Sequence, residues 1–542
     1  MNNIARPSGF ARNLPLFALF SLSVLTGGAI IALAIFALMR ATQSQDVLVF
    51  GDAYLLRIIR FTLWQALLST LLSVITAIPV IFLFFENRYF FGRGLLLRIF
   101  ALPLVLPQIV AVLAIVSLYG NQGYLTQAME LSGVKVPSIY GLTGILIAHV
   151  FFNMPLVVRI VLGALQSMPG EYERLSHQLS LASWTRFRLV YWPYMRPALF
   201  NAAALVFMLC VTSFTIVLTL GGGPRATTLE VAIYQALTFD FDIARAVVLT
   251  LCQLLLTGFA VFVFARAGGG LHAGMTLNAR RPMIVRRTKW QMFVAGLGIG
   301  IAALFVTAPF VAITIKGIAS NLAKLLGQEA VRSAILTSFI LGLLAAFLCI
   351  LLALALSEGA VRRSRTASGS MQWIFAHAAS LVLVIPPIVI AAGWFIMLRP
   401  FVHVYSAAPY LVVTINAAMA LPFAMRFVLP ARQVAAQRHD RLCAQLGTAG
   451  LNKFRLVLLP LMAKPLSIAF AFALALSLGD LGVIALFGSE NVQTLPYLIL
   501  QRMGSYRTDD AAGLAFLLCC FTMALMLFAD RSAIVTKSEK SA

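Results

Sequence analysis

Acidic residues are scarce in this chain. Of its 542 residues only 18 are Asp or Glu, against 41 Lys and Arg, and all charged residues together make up 11%. A soluble domain carries about 25% charged residues and 45–50% apolar ones. Here 61% are hydrophobic and the mean hydropathy is +0.94, which excludes a soluble globular fold. Cysteine is also rare. Cys210, Cys252, Cys349, Cys519 and Cys520 lie in apolar runs, and Cys443 lies in a segment read below as cytoplasmic, so no structural disulfide is expected. No CxxC or paired Cys/His spacing points to a metal site. No GxxxxGK[ST] phosphate loop is present, so any nucleotide hydrolysis belongs to another subunit. Gly221-Gly222-Gly223-Pro224 lacks a Lys at that spacing and reads as a turn. No His, Asp, Glu or Cys cluster has the spacing of a membrane-embedded enzyme site.

Long hydrophobic runs are what the chain does have. A spanning helix needs about 20 apolar residues. Twelve segments qualify, at about 14–39, 61–85, 99–119, 141–165, 198–220, 246–265, 290–315, 333–357, 373–398, 409–430, 466–487 and 511–530. They are too long for barrel strands, which alternate over about 10 residues. The first run, Leu14 to Met39, follows Arg6 and Arg12. It exceeds the 7–15 apolar residues of a secretory signal and reads as a retained span. The expected fold is an all-α integral membrane protein with twelve transmembrane helices.

On a soluble chain, the net charge of +23 would point to nucleic acid. Positive-inside bias explains it better. With the N-terminus in the cytoplasm, 29 of the 41 Lys and Arg fall on that side. Seven acidic residues join them, ten lie outside, and Asp480 alone lies within a span. Both termini are expected in the cytoplasm, membrane lipid is the environment, and no nucleic-acid partner is expected.

A basic linker, 266–289, separates two six-span halves, 1–265 and 290–542. The halves resemble each other at one constant offset. Pro155-Leu156-Val157-Val158-Arg159, Arg174-Leu175, Gln178-Leu179, Phe187-Arg188-Leu189-Val190 and Pro193 recur 267 residues later. Their counterparts are Pro422-Phe423-Ala424-Met425-Arg426, Arg441-Leu442, Gln445-Leu446, Phe454-Arg455-Leu456-Val457 and Pro460. An even number of spans per half makes the repeats parallel. Each half also carries a long cytoplasmic loop, about 166–197 and 431–465. Leu175, Leu179, Leu181 and Trp184 in the first, and Leu442, Leu446 and Leu451 in the second, recur at helical spacing. Each loop therefore reads as a short helix with one apolar edge. Duplication at a matched position favours docking onto a paired partner over lying on lipid. Of the 29 cytoplasmic basic residues, 12 fall between Arg159 and Arg196 or between Arg426 and Lys464.

These loops resemble the coupling loop of ABC importer permeases. That pattern is Glu-Ala-Ala, three residues, Gly, then Pro thirteen residues after the Gly. Gly447 precedes Pro460 by thirteen, and Ser180 precedes Pro193 by thirteen. Arg174 and Arg441 stand at the Glu position, and Leu175-Ser176 and Leu442-Cys443 at the two Ala positions. The usual Glu is absent from both loops and the Gly from the first. Three longer stretches, SFTIVLTLGGGPRATTLEVAIYQAL from Ser213, GDLGVIALFG from Gly479 and GSYR from Gly504, are similar to the thiamine and thiamine diphosphate permeases of Gram-negative bacteria. Fused iron(III) permeases share the layout and are the runner-up.

The resemblance implies a type I ABC importer permease fold in the bacterial inner membrane. It implies two copies of an ABC ATPase subunit, one for each loop, and a periplasmic thiamine-binding protein. A single fused chain would supply both halves. ATP and Mg would sit on the ATPase, with no cofactor on this chain. Expected ATPase-coupling residues are Arg174, Leu175, Ser176, Gln178, Leu179, Ser180, Phe187 and Pro193, with Arg441, Leu442, Cys443, Gln445, Leu446, Gly447, Phe454 and Pro460.

An ionisable group within a span is expensive and faces a cavity or a partner. Asp480 is therefore a substrate-pathway candidate for a cationic ligand, against the alternative of a carboxylate bonded to backbone at a kink. Ser213 stands at its place in the first half. Phe214, Tyr234 and Trp394 are candidates for stacking on an aromatic cation, against ordinary packing. His149, His177, His377 and His439 read as packing residues. A self-contained ion-coupled carrier is the competing class. It often needs several embedded charges, and it leaves the two matched loops unexplained.

Overall fold

The structure, a computed structural model, describes residues 9–43, 53–87, 90, 92–104, 106–134, 138–266, 289–364, 369–382, 385–448, 450–488 and 492–538. Of the expected linker 266–289, residues 267–288 lie outside the described residues. Among the described residues, eleven helices are long and apolar enough to cross a membrane, and Pro387–Leu398 is a shorter apolar helix.

Four expected spans are broken rather than continuous. The third divides into Arg93–Ile99 and Gln108–Tyr119, and the ninth into Gly369–Val382 and Pro387–Leu398. Pro107 and Pro386 are the N-cap residues at these breaks, and each precedes a helix of 12 residues. Proline lacks an N–H and its ring clashes with the preceding turn, so a helix starts from it more readily than it runs through it. The fifth expected span is Trp192–Val211 followed by Phe214–Leu220. The eleventh is Leu459–Leu478 followed by Gly482–Phe487.

Burial runs opposite to that of a soluble protein. Phe20, Leu67, Leu255, Phe293, Leu304 and Phe347 are exposed, as a lipid-facing surface requires, whereas Thr62, Gln65, Ser69 and His149 are buried. Polar groups within hydrocarbon have to find partners inside the protein. Gln65 Nε2 donates to the Cys210 carbonyl at 2.8 Å. The hydroxyl of Thr62 accepts from Leu229 N–H at 3.1 Å, and that of Ser338 from Leu495 N–H at 2.6 Å. These two hydroxyls start the matched helices Leu229–Thr238 and Leu495–Gly504.

The first helix of each half packs on the other half. Gly9–Gln43 runs against Glu329–Ser364, Gly369–Val382 and Pro387–Leu398. A Cβ on Gly393 would fall 2.6 Å from the Ala29 carbonyl oxygen, so only glycine admits this approach. Lys289–Ala319 packs in turn on Ala53–Glu86 and Gln108–Tyr119. Its Ile299, Ala302 and Val306 share a core with Phe84, Phe85 and Val157.

Candidate functional site

The two loops keep the 267-residue register in three dimensions. In the first, Leu142–Gln166 stops at Ser167-Met168-Pro169 and the chain restarts as Gly170–Gln178. In the second, Val404–Gln445 runs unbroken for 42 residues, with Ala436 where the first half has Pro169. The separate short helix expected in both loops is therefore present only in the first. The second loop uses the end of a long helix, because alanine continues a helix that proline ends.

Both helices close in the same way. Ser180 (φ 47°) and Gly447 (φ 67°) are left-handed. The next N–H reaches back five residues, from Leu181 to the Ser176 carbonyl at 3.1 Å and from Thr448 to the Cys443 carbonyl at 2.9 Å. This is a Schellman C-cap, which favours glycine at the left-handed position. The chain then turns through Ser183–Arg186 or Gly450–Lys453 into a π-helical turn, Phe187–Tyr191 or Phe454–Leu458. Pro193 and Pro460 follow at the second position of the next helix, where a missing N–H is tolerated.

The leucine edge inferred from spacing points out of the molecule. Leu175 and Leu442 are each 51% exposed, Leu179 and Leu446 more so, and Leu451 is 84% exposed. Arg174, Gln178, Arg441 and Gln445 are exposed beside them. Ser176 and Cys443 are the buried pair, and the Ser176 hydroxyl donates to the Glu173 carbonyl at 2.7 Å. Phe187 and Phe454 are half-buried, while Pro193 and Pro460 are exposed. Apolar side chains held outward among polar ones are what a protein or membrane contact surface presents.

The broken helices meet deeper in the bundle. His149 bridges two hydroxyls, with Ser69 2.8 Å from Nδ1 and Ser213 2.9 Å from Nε2. The residues 267 positions on, Asn416 and Asp480, are neighbours as well. The Asp480 carboxylate faces the Asn416 amide and the N–H groups of Gly482, Val483 and Ile484, and its Oδ2 makes no hydrogen bond among the described residues. It thus lies over the start of Gly482–Phe487, where the helix dipole favours an anion. Phe214 and Asp480 both approach Gly482, at 3.8 Å from where its Cβ would be, which joins the two breaks. Phe214 and Tyr234 are in edge contact at 5.4 Å. Trp394 is not part of this group. Its Nε1 donates to the Leu25 carbonyl at 2.8 Å and anchors the helix Gly9–Gln43.

Two further residues had little signal in the sequence. Glu230 lies in the first turn of Leu229–Thr238, where an acid usually caps a helix in water. It falls among the ten acidic residues expected outside, yet it is 1% exposed and its Oε1 has no hydrogen-bond partner among the described residues. Asn416 sits inside an apolar run, and only the partner of His149 in the other half gives its place a meaning.

Residues 53–267 match a family described as the inner membrane component of binding-protein-dependent transport systems. The thiamine transport system permease protein ThiP of Brucella abortus (strain 2308) is 50% identical to this chain, over 96% of it and 95% of that protein. The chain belongs to this permease family. The corresponding Escherichia coli (strain K12) protein is 40% identical over 91% of this chain and 92% of its own length. That of Haemophilus influenzae (strain ATCC 51907 / DSM 11121 / KW20 / Rd) is 35% identical over 87% and 88%. Members are permease subunits of ABC importers, multi-pass in the inner membrane, and not enzymes.

Proposed function

We propose that this chain carries thiamine, and with it the phosphates of thiamine, from periplasm to cytoplasm as the permease of an ATP-driven importer. The observation that carries the reading is the pair of matched loops, each presenting a bare leucine edge on a helix that closes in the same C-cap geometry. Two ATPase subunits dock there, one on each loop, and hold the ATP and Mg. Residues 1–265 and 290–542 act as the two permease halves of one fused chain, with both termini in the cytoplasm. A periplasmic thiamine-binding protein delivers the ligand. The names of the relatives over most of the chain support thiamine as the substrate.

Closing the ATPase pair draws the loops together and opens the spans outward, as alternating access requires. The ligand then passes the joined breaks, with Ser213, Phe214, Tyr234 and Asp480 as the polar and aromatic lining. Weak binding suits this place, since a tightly held ligand would not leave.

Reconstitution tests the proposal. The purified chain in liposomes should accumulate no thiamine under a proton or sodium gradient. Adding the ATPase, the binding protein and ATP should start uptake. Gradient-driven accumulation by the chain alone would refute an ATP-driven role.

A further inference from the structure

The base of the second loop carries a chain of ion pairs, most of it buried. Arg432, on Val404–Gln445, has its side chain 3% exposed. Its Nε donates to Glu358 Oε2 at 2.8 Å, on the neighbouring helix Glu329–Ser364. Its Nη2 donates to Asp440 Oδ2 at 3.3 Å, one loop-ward stretch further along its own helix. Asp440, 2% exposed, pairs through Oδ1 with Lys453 Nζ at 2.9 Å, at the end of Gly450–Lys453. Glu358 is held on its other oxygen by Arg362 Nε at 2.7 Å. The sequence Glu358–Arg432–Asp440–Lys453 thus runs from a spanning helix to the far limb of the loop.

The first half is built differently at the same place. The 267 offset sets Leu165 where the second half has Arg432, Glu173 at Asp440 and Arg186 at Lys453. The hydroxyl pair Thr62 and Ser338 sets an offset of 276 for the neighbouring helices, which puts Phe82 at Glu358. Leu165 is buried, and Phe82 meets the loop residue Phe187 edge-on at 5.5 Å. The joint under the first loop is therefore apolar at the two positions that are ionic under the second. An apolar contact has no preferred direction and tolerates sliding. A buried guanidinium between two carboxylates fixes both distance and direction.

We propose that Arg432 is a positioning residue for coupling, which locks the second docking loop to the spanning bundle while the first loop moves on a sliding joint. The inference rests on the loops being the ATPase seats. The pseudo-symmetric chain then receives the partner's stroke unequally, stiffly through the second loop and compliantly through the first.

The test converts the second joint into a copy of the first, by Glu358→Phe with Arg432→Leu, in the full complex with ATPase and binding protein in liposomes. The double variant should still bind the ATPase, and thiamine taken up per ATP hydrolysed should fall about tenfold. Lys453→Met, at a partly exposed position, removes only the last link and should lower the same ratio about threefold. Lys453→Arg should restore it. A purely structural role would lower the amount of complex and leave the ratio unmoved. If the Lys453→Met complex, or an assembled double variant, keeps the unaltered ratio, the proposal fails. If the unaltered complex shows no ATP-driven uptake, the docking reading itself fails, which is seen before any variant is compared.

Discussion

Ser180 shows what one residue costs at a turn. Its left-handed backbone is disfavoured for an L side chain by about 1 kcal/mol. Gly447 meets the same requirement freely, and open space surrounds it, so the difference lies in the backbone alone. Ser180→Gly should therefore slow hydrogen exchange at the Leu181 amide about fivefold, the factor equal to about 1 kcal/mol. An unchanged rate would mean that the serine is not strained. The loop register was legible at this scale, because Gln178 and Gln445, Phe187 and Phe454, and Pro193 and Pro460 keep one spacing through polar sequence. The burial of Glu230 was not legible. Leu229-Glu230-Val231 reads equally well as the wet start of a helix, and only tertiary packing closes water out.

Among elements, the departure from symmetry is the break at Pro169. Pro169 ends one helix and starts another, while Ala436 lets Val404–Gln445 run on into the second loop. Ala436→Pro should remove a backbone hydrogen bond and destabilise the helix by about 3 kcal/mol. Thermal unfolding of the purified protein would show the loss. Pro169→Ala should act in the opposite direction and protect the amides of 170–172 from exchange. Equal responses at the two sites would show that the loops are mechanically alike. Hydropathy marked twelve apolar runs, eleven helices are long enough to span among the described residues, and the breaks within four runs were missed. Averaging across Ile385-Pro386-Pro387 leaves 373–398 looking continuous, since proline costs little on such a scale. Only the lost N–H divides it.

For the whole molecule, the exchange of first helices decides how the halves hold together. Hydropathy gives Gly9–Gln43 a place in the membrane, but no partner. Its partner is set by shape, at Gly393 against Ala29 and at Trp394 against Leu25. Gly393→Val should overpack this crossing and cost about 1–3 kcal/mol. Gly258→Val, where a side chain meets nothing within 4 Å, is the control and should leave thermal unfolding close to unaltered. If the two variants melt alike, the crossing does not stabilise the fold.

The exchange also has a consequence in time. The first helix ends at Gln43, whereas the surface that receives it is complete only at Leu398. Translation at about 5–20 residues per second leaves a gap of roughly 20–70 seconds between the two. Until Ile243–Arg266 and then the second-half helices emerge, the newborn helix has lipid or the insertion machinery for company in place of its main native neighbours. Its long apolar outer face, from Phe17 to Ile35, lets it wait there without harm.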